Sequence, residues 1–428
     1  MQTIVIVGGG AGGLELATRL GKTMGRSGRA QVILVDRSPT HFWKPLLHTV
    51  ASGKRDPQVF QLAYSAQAAE HGFSFIHAEM RSVDRELRTI ELAPCVAADM
   101  GDAPPLRKVG YTTLVLALGA VTNFYGVPGA ADHVYTLDSV REAKSFNRHF
   151  VHACVQASTR GPDAKVDVLI VGGGATGVEL AAELGYSARA LAKYKVHTLD
   201  PERDVRITIL ERGAMLLPHL PAEQSQRAEA YLKQRGIGVS TNTVVNRVTA
   251  DSVHVGDGEV RPASLTVWAA GVEGPAICTT LDLPLNRMKQ ITVTPSLQSV
   301  GDPNVYAIGD CAAYVCPVKG AVPPRAQVAH QQAMFLAAAL SRREGKPLPE
   351  FRYRDYGSLV SLGPVAAVGV LLGTSTGRQY GVSGAMANLL YGMMYQKHLM
   401  ALHGFVRGAS VALADWLRKR LNPPVKLH

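Results

Sequence analysis

The sequence shows no long apolar run, and its first residues do not have the pattern of a signal peptide. Crossing a bilayer takes about 18 or more apolar residues in succession, and no such run occurs among the 428 residues. The nearest candidate, LVSLGPVAAVGVLLG at 359–373, is interrupted by glycine and proline and predicts strands. The N-terminus, MQTIVIVGGG, has neither a basic n-region nor a cleavage site. We therefore expect no transmembrane span and no signal peptide.

Cysteine and aromatic residues are also scarce. The five cysteines are widely scattered and odd in number, which fits reduced thiols, as in a cytoplasm, better than a disulfide framework. They do not follow zinc-finger spacing, and aromatic residues make up only 6% of the chain, so no RNA-binding signature is present. The net charge of +11 fits an anionic membrane surface as well as it fits a nucleic acid. The sequence therefore predicts no nucleic-acid partner and no metal site.

What the chain does contain is enough apolar sequence for a sizeable core. Hydrophobic residues make up 46% and charged residues 18%, proportions typical of folded rather than disordered proteins. A length of 428 residues indicates two or three domains.

The first chemical motif is TIVIVGGGAGGLELATRL, at the N-terminus. A β-branched strand ends in Gly8, Gly10 and Gly13, and a helical pattern follows. In such a fingerprint the first glycine allows the tight turn, the second lets the backbone approach a pyrophosphate, and the third lets helix pack on strand. The next strand, QVILVD, ends in Asp36, placed to bind a ribose hydroxyl. Strand, glycines, helix and acid in this order predict a dinucleotide site; the alternative is an ordinary glycine-containing turn.

A second fingerprint follows about 160 residues later. VLIVGGGATGVELAAELGY supplies Gly172, Gly174 and Gly177, and the strand RITILE ends in Glu211. Two fingerprints predict two dinucleotide sites, so one chain could pass a hydride between FAD and a nicotinamide coenzyme. A carboxylate at Glu211 accepts from a free 2′-hydroxyl and repels a 2′-phosphate, which favours NADH over NADPH. The neighbouring Arg212 is a residue type that can accommodate a phosphate.

A third segment, NVYAIGDCAAY at 304–314, is a strand that ends in Gly309 and Asp310. With the two fingerprints, it resembles the two-dinucleotide flavoprotein reductases. The resemblance implies that Asp310 holds the ribityl chain of the flavin and that the NADH domain is inserted within the FAD domain. The fold class expected is therefore α/β, with two Rossmann-like dinucleotide-binding domains, a C-terminal cap and an amphipathic helical tail.

Two branches of these reductases fit poorly. Disulfide reductases carry CxxxxC soon after the first ribose acid, but that region reads SPTHFWKPLLHTVASG. Cys311 and Cys316 have the spacing but follow the GD motif, and two buried or idle thiols are the favoured interpretation. Sulfide:quinone reductases need cysteines that flank the flavin, whereas Cys154 falls in a linking helix and Cys278 lies outside any matching motif.

Several segments spread over the whole chain resemble type II NADH:quinone oxidoreductase, its bacterial members above all. They are WKPLLHTVASG at 43–53, YTTLVLALGAVTN at 111–123, VWAAGV at 267–272 and PPRAQVAHQ at 323–331. The pattern Ala-Gln-x-x-x-Gln, here Ala326, Gln327 and Gln331, matches the quinone-site signature of that family. The resemblance implies that the two amides face the isoalloxazine and the quinone head group; an amide is a neutral donor that suits a quinone carbonyl.

The same resemblance gives roles to further residues. It implies that Glu179, two residues after Gly177 and expected in the first turn of its helix, lies near the flavin and nicotinamide and helps to route protons to reduced quinone. A carboxylate stabilised at a helix N-terminus is the alternative. Lys44 is either a flavin-site cation or a surface lysine, and Met80 matches a position whose backbone binds adenine. Gly119 of LALGA and Gly271 of WAAGV are expected at the cofactors.

The C-terminal part of the chain differs in composition. AMANLLYGMMYQKHLMALHGFVRG is rich in methionine, and in ASVALADWLRKRLNPP one helical face would carry Ala409, Leu413, Trp416 and Leu417. A basic amphipathic helix with tryptophan is typical of a helix on an anionic bilayer. It could also pack on the protein or form a homodimer contact. With a water-insoluble quinone as substrate, we expect peripheral attachment to the cytoplasmic face of the bacterial inner membrane. VSGAMANLL at 382–390 lacks the basic residue frequent near the quinone tunnel in this family.

The expected organisation follows from these motifs. Residues 1–124 and 276–345 would form the FAD domain, 125–165 a connection, 166–275 the NADH domain, and 346–428 the cap and membrane-associating region. The expected activity is hydride transfer from NADH to FAD and electron transfer to quinone, without proton pumping. Two alternatives stay open: a soluble flavin reductase with a protein or thiol acceptor, and a non-catalytic NAD(H)-sensing flavoprotein.

Overall fold

The computed structural model describes most of the chain. The described residues are 1–95, 105–160, 164–194, 199–317, 320–342, 348–373, 378–404, 408–411, 413–414 and 417. Trp416, which the sequence places on the amphipathic face of the tail, and all residues after Leu417 lie outside these ranges. No helix among the described residues is long and apolar enough to cross a bilayer.

The strands among the described residues are, in chain order, β1 (Gln2–Val7), β2 (Ala30–Asp36), β3 (Thr40–His41), β4 (Leu62–Ala63), β5 (Ser74–Asp84), β6 (Thr89–Pro94), β7 (Arg107–Gly110), β8 (Thr113–Leu116), β9 (Val121–Thr122), β10 (Val166–Val171), β11 (Val205–Leu210), β12 (Gly238–Ser240), β13 (Val245–Val248), β14 (Ser252–Val255), β15 (Glu259–Pro262), β16 (Leu265–Trp268), β17 (Val272–Glu273), β18 (Ile291–Thr292), β19 (Gln298–Ser299), β20 (Asp302–Ala307), β21 (Ala312–Ala313), β22 (Val315–Cys316), β23 (Gly320–Ala321), β24 (Gly357–Ser361), β25 (Ala367–Leu372) and β26 (Gln379–Ser383).

The α-helices in the same part of the chain are α1 (Ala11–Leu20), α2 (Leu47–Ala51), α3 (Pro57–Phe60), α4 (Tyr64–His71), α5 (Ala130–His133), α6 (Val140–Arg160), α7 (Ala175–Lys193), α8 (Pro201–Asp204), α9 (Ala222–Lys233), α10 (Ala326–Leu340) and α11 (Gly384–His403).

The first of two compact units comprises Met1–Lys44, Phe60–Val121 and Val272–Tyr353. Its main sheet has the strand order β19-β20-β8-β1-β2-β5-β6-β7, and β20, β8, β1, β2 and β5 run parallel. The apolar residues of β1 are almost completely buried, as expected for a parallel strand covered on both faces. Helices α1 and α10 pack against each other, so the helix of the first fingerprint contacts the helix that begins at Ala326.

The second unit comprises Pro45–Val59, Thr122–Gly271 and Arg354–His428. It contains a parallel sheet of order β12-β11-β10-β16 and an antiparallel sheet of β13, β14 and β15. Helix α7 follows β10 directly and packs on β11, α2 and β24. The middle segment of this unit, Thr122–Gly271, begins and ends near the boundaries that the sequence predicts at 124 and 275, but the unit also includes Pro45–Val59 and Arg354–His428. The assignment of the units to FAD and NADH stays a prediction.

The C-terminal part of the second unit is an antiparallel sheet with one helix packed on it. Strands β24, β25 and β26 pair in sequence order, and α11 contacts all three. This confirms that 359–373 forms strands rather than one apolar helix. Gly357 has φ +101°, and a side chain there would overlap the carbonyl oxygen of Val370 on the neighbouring strand, so only glycine allows this close pairing.

Candidate active site

The three glycines of the first fingerprint differ in what surrounds them. Gly8 has φ +103°, and a Cβ there would overlap the carbonyl oxygen of Ala117 on the turn after β8. A Cβ at Gly13 would overlap the Gly8 carbonyl oxygen. Gly10, the residue before α1, has the ordinary φ of −64°, and a Cβ there would meet no atom within 4 Å. Gly8 and Gly13 are therefore needed by the fold, whereas Gly10 keeps open the space at the helix N-terminus.

Asp36, at the end of β2, stabilises this turn by hydrogen bonds. Its carboxylate accepts the backbone N–H of Gly9 at 2.6 Å and that of Ser38 at 2.7 Å. Burial raises the pKa of Asp36, and the two N–H groups act in the opposite direction. Tyr64 donates its hydroxyl to the Gly9 carbonyl at 2.7 Å, and a Cβ at Gly9 would overlap the Tyr64 ring. Gly9 and Tyr64 were missed by the sequence reasoning; the run of three glycines was the available signal for Gly9.

The second fingerprint repeats this geometry in the other unit. Gly172 has φ +111° and packs against the backbone of Ala269, and a Cβ at Gly177 would overlap the Gly172 carbonyl oxygen. Gly174 has φ −72°, and a Cβ there would again meet nothing within 4 Å. The same division of roles in both units indicates two helix N-termini kept open for a ligand.

Glu211 corresponds to Asp36. It follows β11 directly and accepts the N–H of Gly173 at 2.6 Å and of Gly213 at 2.6 Å. A Cβ at Gly173 would lie 2.9 Å from the Glu211 carboxylate and closer still to Leu216. Gly173 was also missed, although the GGG run points to it. The sequence prediction that an acid ends this strand next to the glycine turn agrees with the geometry.

Around the GD motif, the first unit gathers three of the predicted cofactor residues. Lys44 is exposed, its Nζ donates to the Ala120 carbonyl at 3.3 Å, and a Cβ at Gly119 would lie 3.9 Å from that Nζ. Burial raises the pKa of Asp310, and the charge of Lys44 lowers it. Lys44 is thus close enough to Asp310 to influence its charge, which places a cation and a carboxylate at one site.

Gln332 holds the GD turn from the side of α10. Its side-chain oxygen accepts the Gly309 N–H at 2.7 Å, and the residue is 1% exposed. Gly309 itself has φ +72°, a conformation that favours glycine. The sequence reasoning singled out Gln331 and overlooked the next residue, for which the Gln-Gln pair was the only signal.

Two predicted cofactor residues have simpler surroundings. Met80 lies in β5 and is buried. Gly271 has φ +71°, and a Cβ there would overlap the Tyr125 side chain. Packing against Tyr125 therefore accounts for the glycine at Gly271, whatever its role toward a cofactor.

The candidate quinone residues begin α10, as the sequence predicts. Ala326 is the first helical residue, and Gln327 and Gln331 follow one turn apart, each half-buried. His330, beside Gln331, contacts Glu15 of α1 through its Nδ1 at 2.6 Å. Glu15 is fully buried and also accepts from Arg19 Nε at 2.8 Å. This contact fixes α10 against the helix of the first fingerprint.

Glu179 does not lie in the first turn of its helix, where the sequence analysis expects it. It is the fifth residue of α7, and the first turn of that helix carries no acid. Because the effect of the helix dipole fades beyond the first turn, stabilisation at a helix N-terminus does not explain this residue. Glu179 is instead 7% exposed and accepts the backbone N–H of Ser361 at 3.0 Å. Burial raises its pKa to about 8, against the lowering effect of the Ser361 N–H and the Tyr391 hydroxyl.

His48 of α2 faces this carboxyl, with its Nδ1 3.4 Å from Oε2 of Glu179. Burial, together with the charges of Lys54 and Arg55, lowers the pKa of His48 to about 3. At neutral pH, therefore, a neutral His48 faces a largely protonated Glu179. His48 lies in the WKPLLHTVASG segment, but the family resemblance gave it no role, and Tyr391 belongs to no motif, so neither residue was singled out from the sequence.

The described cysteines give no support to a thiol mechanism. Cys154 lies in α6, as predicted, and is buried, as are Cys278, Cys311 and Cys316. No disulfide joins Cys311 to Cys316. Burial raises the pKa of Cys311 to about 12, which makes it a poor nucleophile.

The residues present fit two dinucleotides. Each fingerprint helix begins at a glycine with open space around it and has no side-chain cap on its first N–H groups, which suits a pyrophosphate. Each turn is held by a carboxylate from the end of the next strand, Asp36 or Glu211, and that carboxylate has lone pairs left for ribose hydroxyls.

Comparison with known proteins identifies the family. The profile of the family described as "Pyridine nucleotide-disulphide oxidoreductase" matches residues 2–333. A type II NADH:quinone oxidoreductase of Haemophilus influenzae is 38% identical, with all of both chains covered. The chain belongs to the type II NADH:quinone oxidoreductases. A second relative, the type II NADH:quinone oxidoreductase of Staphylococcus aureus strain NCTC 8325, is 28% identical over 87% of this chain and 90% of its own.

Solved structures agree with this type II oxidoreductase fold. NDH2 from Plasmodium falciparum, solved in complex with NADH, superimposes with a TM-score of 0.83 at 19% identity, over 100% of this chain and 99% of its own. The sulfide:quinone oxidoreductase of Aquifex aeolicus gives a TM-score of 0.72 at 18% identity, over 98% and 95%. The predicted fold class, the two-dinucleotide flavoprotein reductase fold, is confirmed. Family membership also confirms the predicted enzyme class, with FAD and NADH as its cofactors.

Proposed function

We propose that this type II oxidoreductase transfers a hydride from NADH to FAD and two electrons onward to a membrane quinone, without pumping protons. One observation carries the proposal furthest. Helix α10 is fastened to the Gly309–Asp310 turn by Gln332, and the same helix carries Gln327 and Gln331 at its start. A helix so placed can couple a flavin-binding turn to a pair of neutral amide donors for a quinone.

In the first unit, we assign FAD binding to the first fingerprint and to the GD turn. Gly10 leaves space for the pyrophosphate, and Asp36 accepts from the adenosine ribose. Lys44 and Asp310 supply a cation and a carboxylate near Gly119, which suits a ligand with both anionic and hydroxyl groups. Asp310 would accept from the ribityl chain. The backbone of Met80 would contact the adenine.

In the second unit, we assign NADH to the second fingerprint. Gly172 and Gly177 shape the turn, Gly174 admits the pyrophosphate, and Glu211 accepts from the ribose. Because the Glu211 carboxylate would meet a 2′-phosphate with like charge, NADH is the expected coenzyme. Gly271 lies on the turn after β16 of the same sheet.

Glu179 is assigned the proton chemistry. Quinone takes up two protons when it becomes quinol, so the enzyme needs an acid that is protonated near neutral pH. With its pKa raised to about 8 by burial, Glu179 holds a proton on its carboxyl that an exposed glutamate would lose. Its buried position also excludes bulk water from competing for that proton.

We further propose that the enzyme attaches peripherally to the anionic cytoplasmic face of the bacterial inner membrane. Met386, Leu389 and Met393 follow a helical stripe on α11, and each is more than half exposed. Leu413 and Leu417 are also exposed. Apolar side chains in this arrangement, on a chain of net charge +11, fit insertion into the headgroup region of an anionic bilayer.

A single assay tests the function. We expect rapid NADH oxidation with a short-chain quinone and little with a ferredoxin or a disulfide as acceptor. Rapid turnover with either of the latter and none with quinone would overturn the proposal in favour of a soluble reductase. No turnover with any acceptor, although FAD and NADH bind, would favour a sensing flavoprotein.

A further inference from the structure

Tyr391 is joined to Glu179 although the two residues are 212 positions apart. Tyr391 lies in the middle of α11 and packs against the small cluster formed by Leu359, Ala367 and Ala387. Its hydroxyl makes a side-chain hydrogen bond to the Glu179 carboxyl. The C-terminal helix thereby reaches the carboxyl that the proposed function uses as its acid.

Two groups donate to this carboxyl from different elements. The Ser361 backbone N–H, at the end of β24, donates to Oε1 at 3.0 Å, and the Tyr391 hydroxyl on α11 is the second donor. The two have different chemical freedom: a peptide N–H cannot titrate, whereas a hydroxyl can both donate and accept. Tyr391 can therefore follow the carboxyl through both of its protonation states.

The charged and titratable groups around Glu179 leave Tyr391 protonated. They are His48 on α2, Lys54 and Arg55 after α2, Glu183 one turn further along α7, and Tyr391 itself. Lys54 pairs with Glu183 at 2.5 Å, so these two charges largely offset each other. Burial and the nearby carboxyls raise the pKa of Tyr391 well above its ordinary value, which keeps the hydroxyl a donor at every physiological pH.

We propose that Tyr391 is a positioning residue for quinone reduction, whose hydroxyl orients the Glu179 carboxyl and sets how readily it gives up its proton. This inference rests on the proposed role of Glu179. Donation from Tyr391 favours the carboxylate, so it opposes the effect of burial and keeps the carboxyl able to both release and regain a proton. Without the hydroxyl, Glu179 would hold its proton too firmly and lose its orientation.

The test is the pH profile of kcat with a short-chain quinone, measured on the FAD-loaded Tyr391→Phe enzyme. The descending limb, on which Glu179 loses its proton, should move upward by about 1–2 pH units, the equivalent of one hydrogen bond to a charged group. The pH dependence of thermal unfolding should shift the same way. Tyr380→Phe is the matched control, because Tyr380 is a half-exposed tyrosine of the adjoining β26, and it should leave both profiles unchanged.

Two further variants separate positioning from simple loss of packing. Fluorotyrosine at position 391 keeps the ring and strengthens donation, so the limb should move to lower pH, opposite to the phenylalanine variant. In a Glu179→Gln background, Tyr391→Phe should have no further effect on the profile, because the group it acts on is absent.

The outcomes distinguish this inference from the proposed function. If wild type reduces quinone but neither the Phe nor the fluorotyrosine variant moves the limb, the positioning role is wrong and the function stands. A shift of the same size in the Glu179→Gln background would also overturn it. If wild type does not reduce quinone, the proposed function fails first.

Discussion

The carboxylate of Glu211 accepts the backbone N–H of Gly173 at 2.6 Å, the same contact that Asp36 makes with Gly9 in the other unit. In each fingerprint, then, the acid at the end of the second strand accepts a hydrogen bond from the middle glycine of the Gly-Gly-Gly run. The carboxylate is fixed beside the turn before any ribose arrives, and a fixed carboxylate discriminates between a ribose hydroxyl and a phosphate.

Coenzyme preference follows from Glu211. Wild type should use NADH far better than NADPH, and Glu211→Ala should narrow the ratio of kcat/KM values by about tenfold or more, the order expected for removing one charge–charge contact. Glu223→Ala, which removes an exposed carboxylate of the same unit, should not change the ratio. Equal use of both coenzymes by wild type would show that Glu211 does not discriminate.

Alanine in place of Gly10 or Gly174 should leave the fold intact but weaken the binding of the dinucleotide. Both have φ values open to any residue and surroundings without atoms within 4 Å, so a methyl group would project into space assigned to a pyrophosphate. We expect Gly174→Ala to keep FAD and the unfolding temperature but to raise the KM for NADH. Gly10→Ala should lose FAD instead.

The contrasting variants are Gly13→Ala and Gly177→Ala. A Cβ at either position would overlap a backbone carbonyl oxygen, so we expect poor folding whatever the ligand. If Gly174→Ala binds NADH as well as wild type does, the pyrophosphate of NADH does not lie beside Gly174.

The buried Glu179 should make stability fall as pH rises. Its folded pKa, about 8, exceeds the ordinary 4.5, so between these values the folded state binds more protons than the unfolded state and loses stability with rising pH. His48, with its folded pKa lowered to about 3 from 6.5, acts in the opposite sense, but only below 6.5. Between pH 6.5 and 8, His48 no longer opposes the effect of Glu179. Over this range Glu179 should lower the free energy of unfolding by about 2 kcal/mol.

Chemical denaturation of wild type and Glu179→Gln at a series of pH values measures this effect. Between pH 6.5 and 8, the free energy of unfolding of the glutamine variant should fall by about 2 kcal/mol less than that of wild type. Parallel curves for the two proteins would mean that Glu179 is ionised in the folded enzyme at neutral pH.

Membrane attachment should depend on the exposed stripe of α11. Changing Met386, Leu389 and Met393 together to glutamine should reduce flotation with anionic liposomes by about tenfold or more, given the free energy of burying such side chains. A control variant carries the same kind of change at Leu87, Leu106 and Val260, which are also more than half exposed. It should float with the liposomes as wild type does.

Two outcomes would move the anchor. Unchanged flotation of the triple variant, with loss on deletion of residues 409–428, would locate it in that tail. A triple variant that still floats but changes from dimer to monomer in size-exclusion chromatography would assign the stripe to a homodimer contact.

Local sequence patterns predicted those parts of the site that local geometry dictates. Gly8, Gly13, Gly172 and Gly177 are fixed by turns between neighbouring strands and helices, and so their spacing was enough to find them. The start of α10 follows from the Pro-Pro pair at 323–324.

The parts that the sequence could not reveal depend on distant segments. Tyr391 and His48 reach Glu179 from positions far apart in the chain, and no spacing rule connects them. The burial of Glu179 likewise comes from β24 and α2 rather than from its own helix, and the sequence analysis placed this residue wrongly in the first turn of α7. Gln332 was missed because its neighbour Gln331 matched the family signature.

The central claim is that Gln327 and Gln331 act on quinone, and stopped-flow measurement of the two half-reactions tests it most directly. The loss of one neutral hydrogen bond costs about 0.5–1.5 kcal/mol, so Gln327→Ala and Gln331→Ala should each slow the return of FAD absorbance on mixing with quinone by up to about tenfold. Bleaching by NADH without quinone should stay near the wild-type rate. Gln332→Ala, one residue further along α10 and bonded to Gly309, should lose FAD instead. Equal slowing of both half-reactions in the Gln327 and Gln331 variants, or no slowing of the return with quinone, would contradict the account.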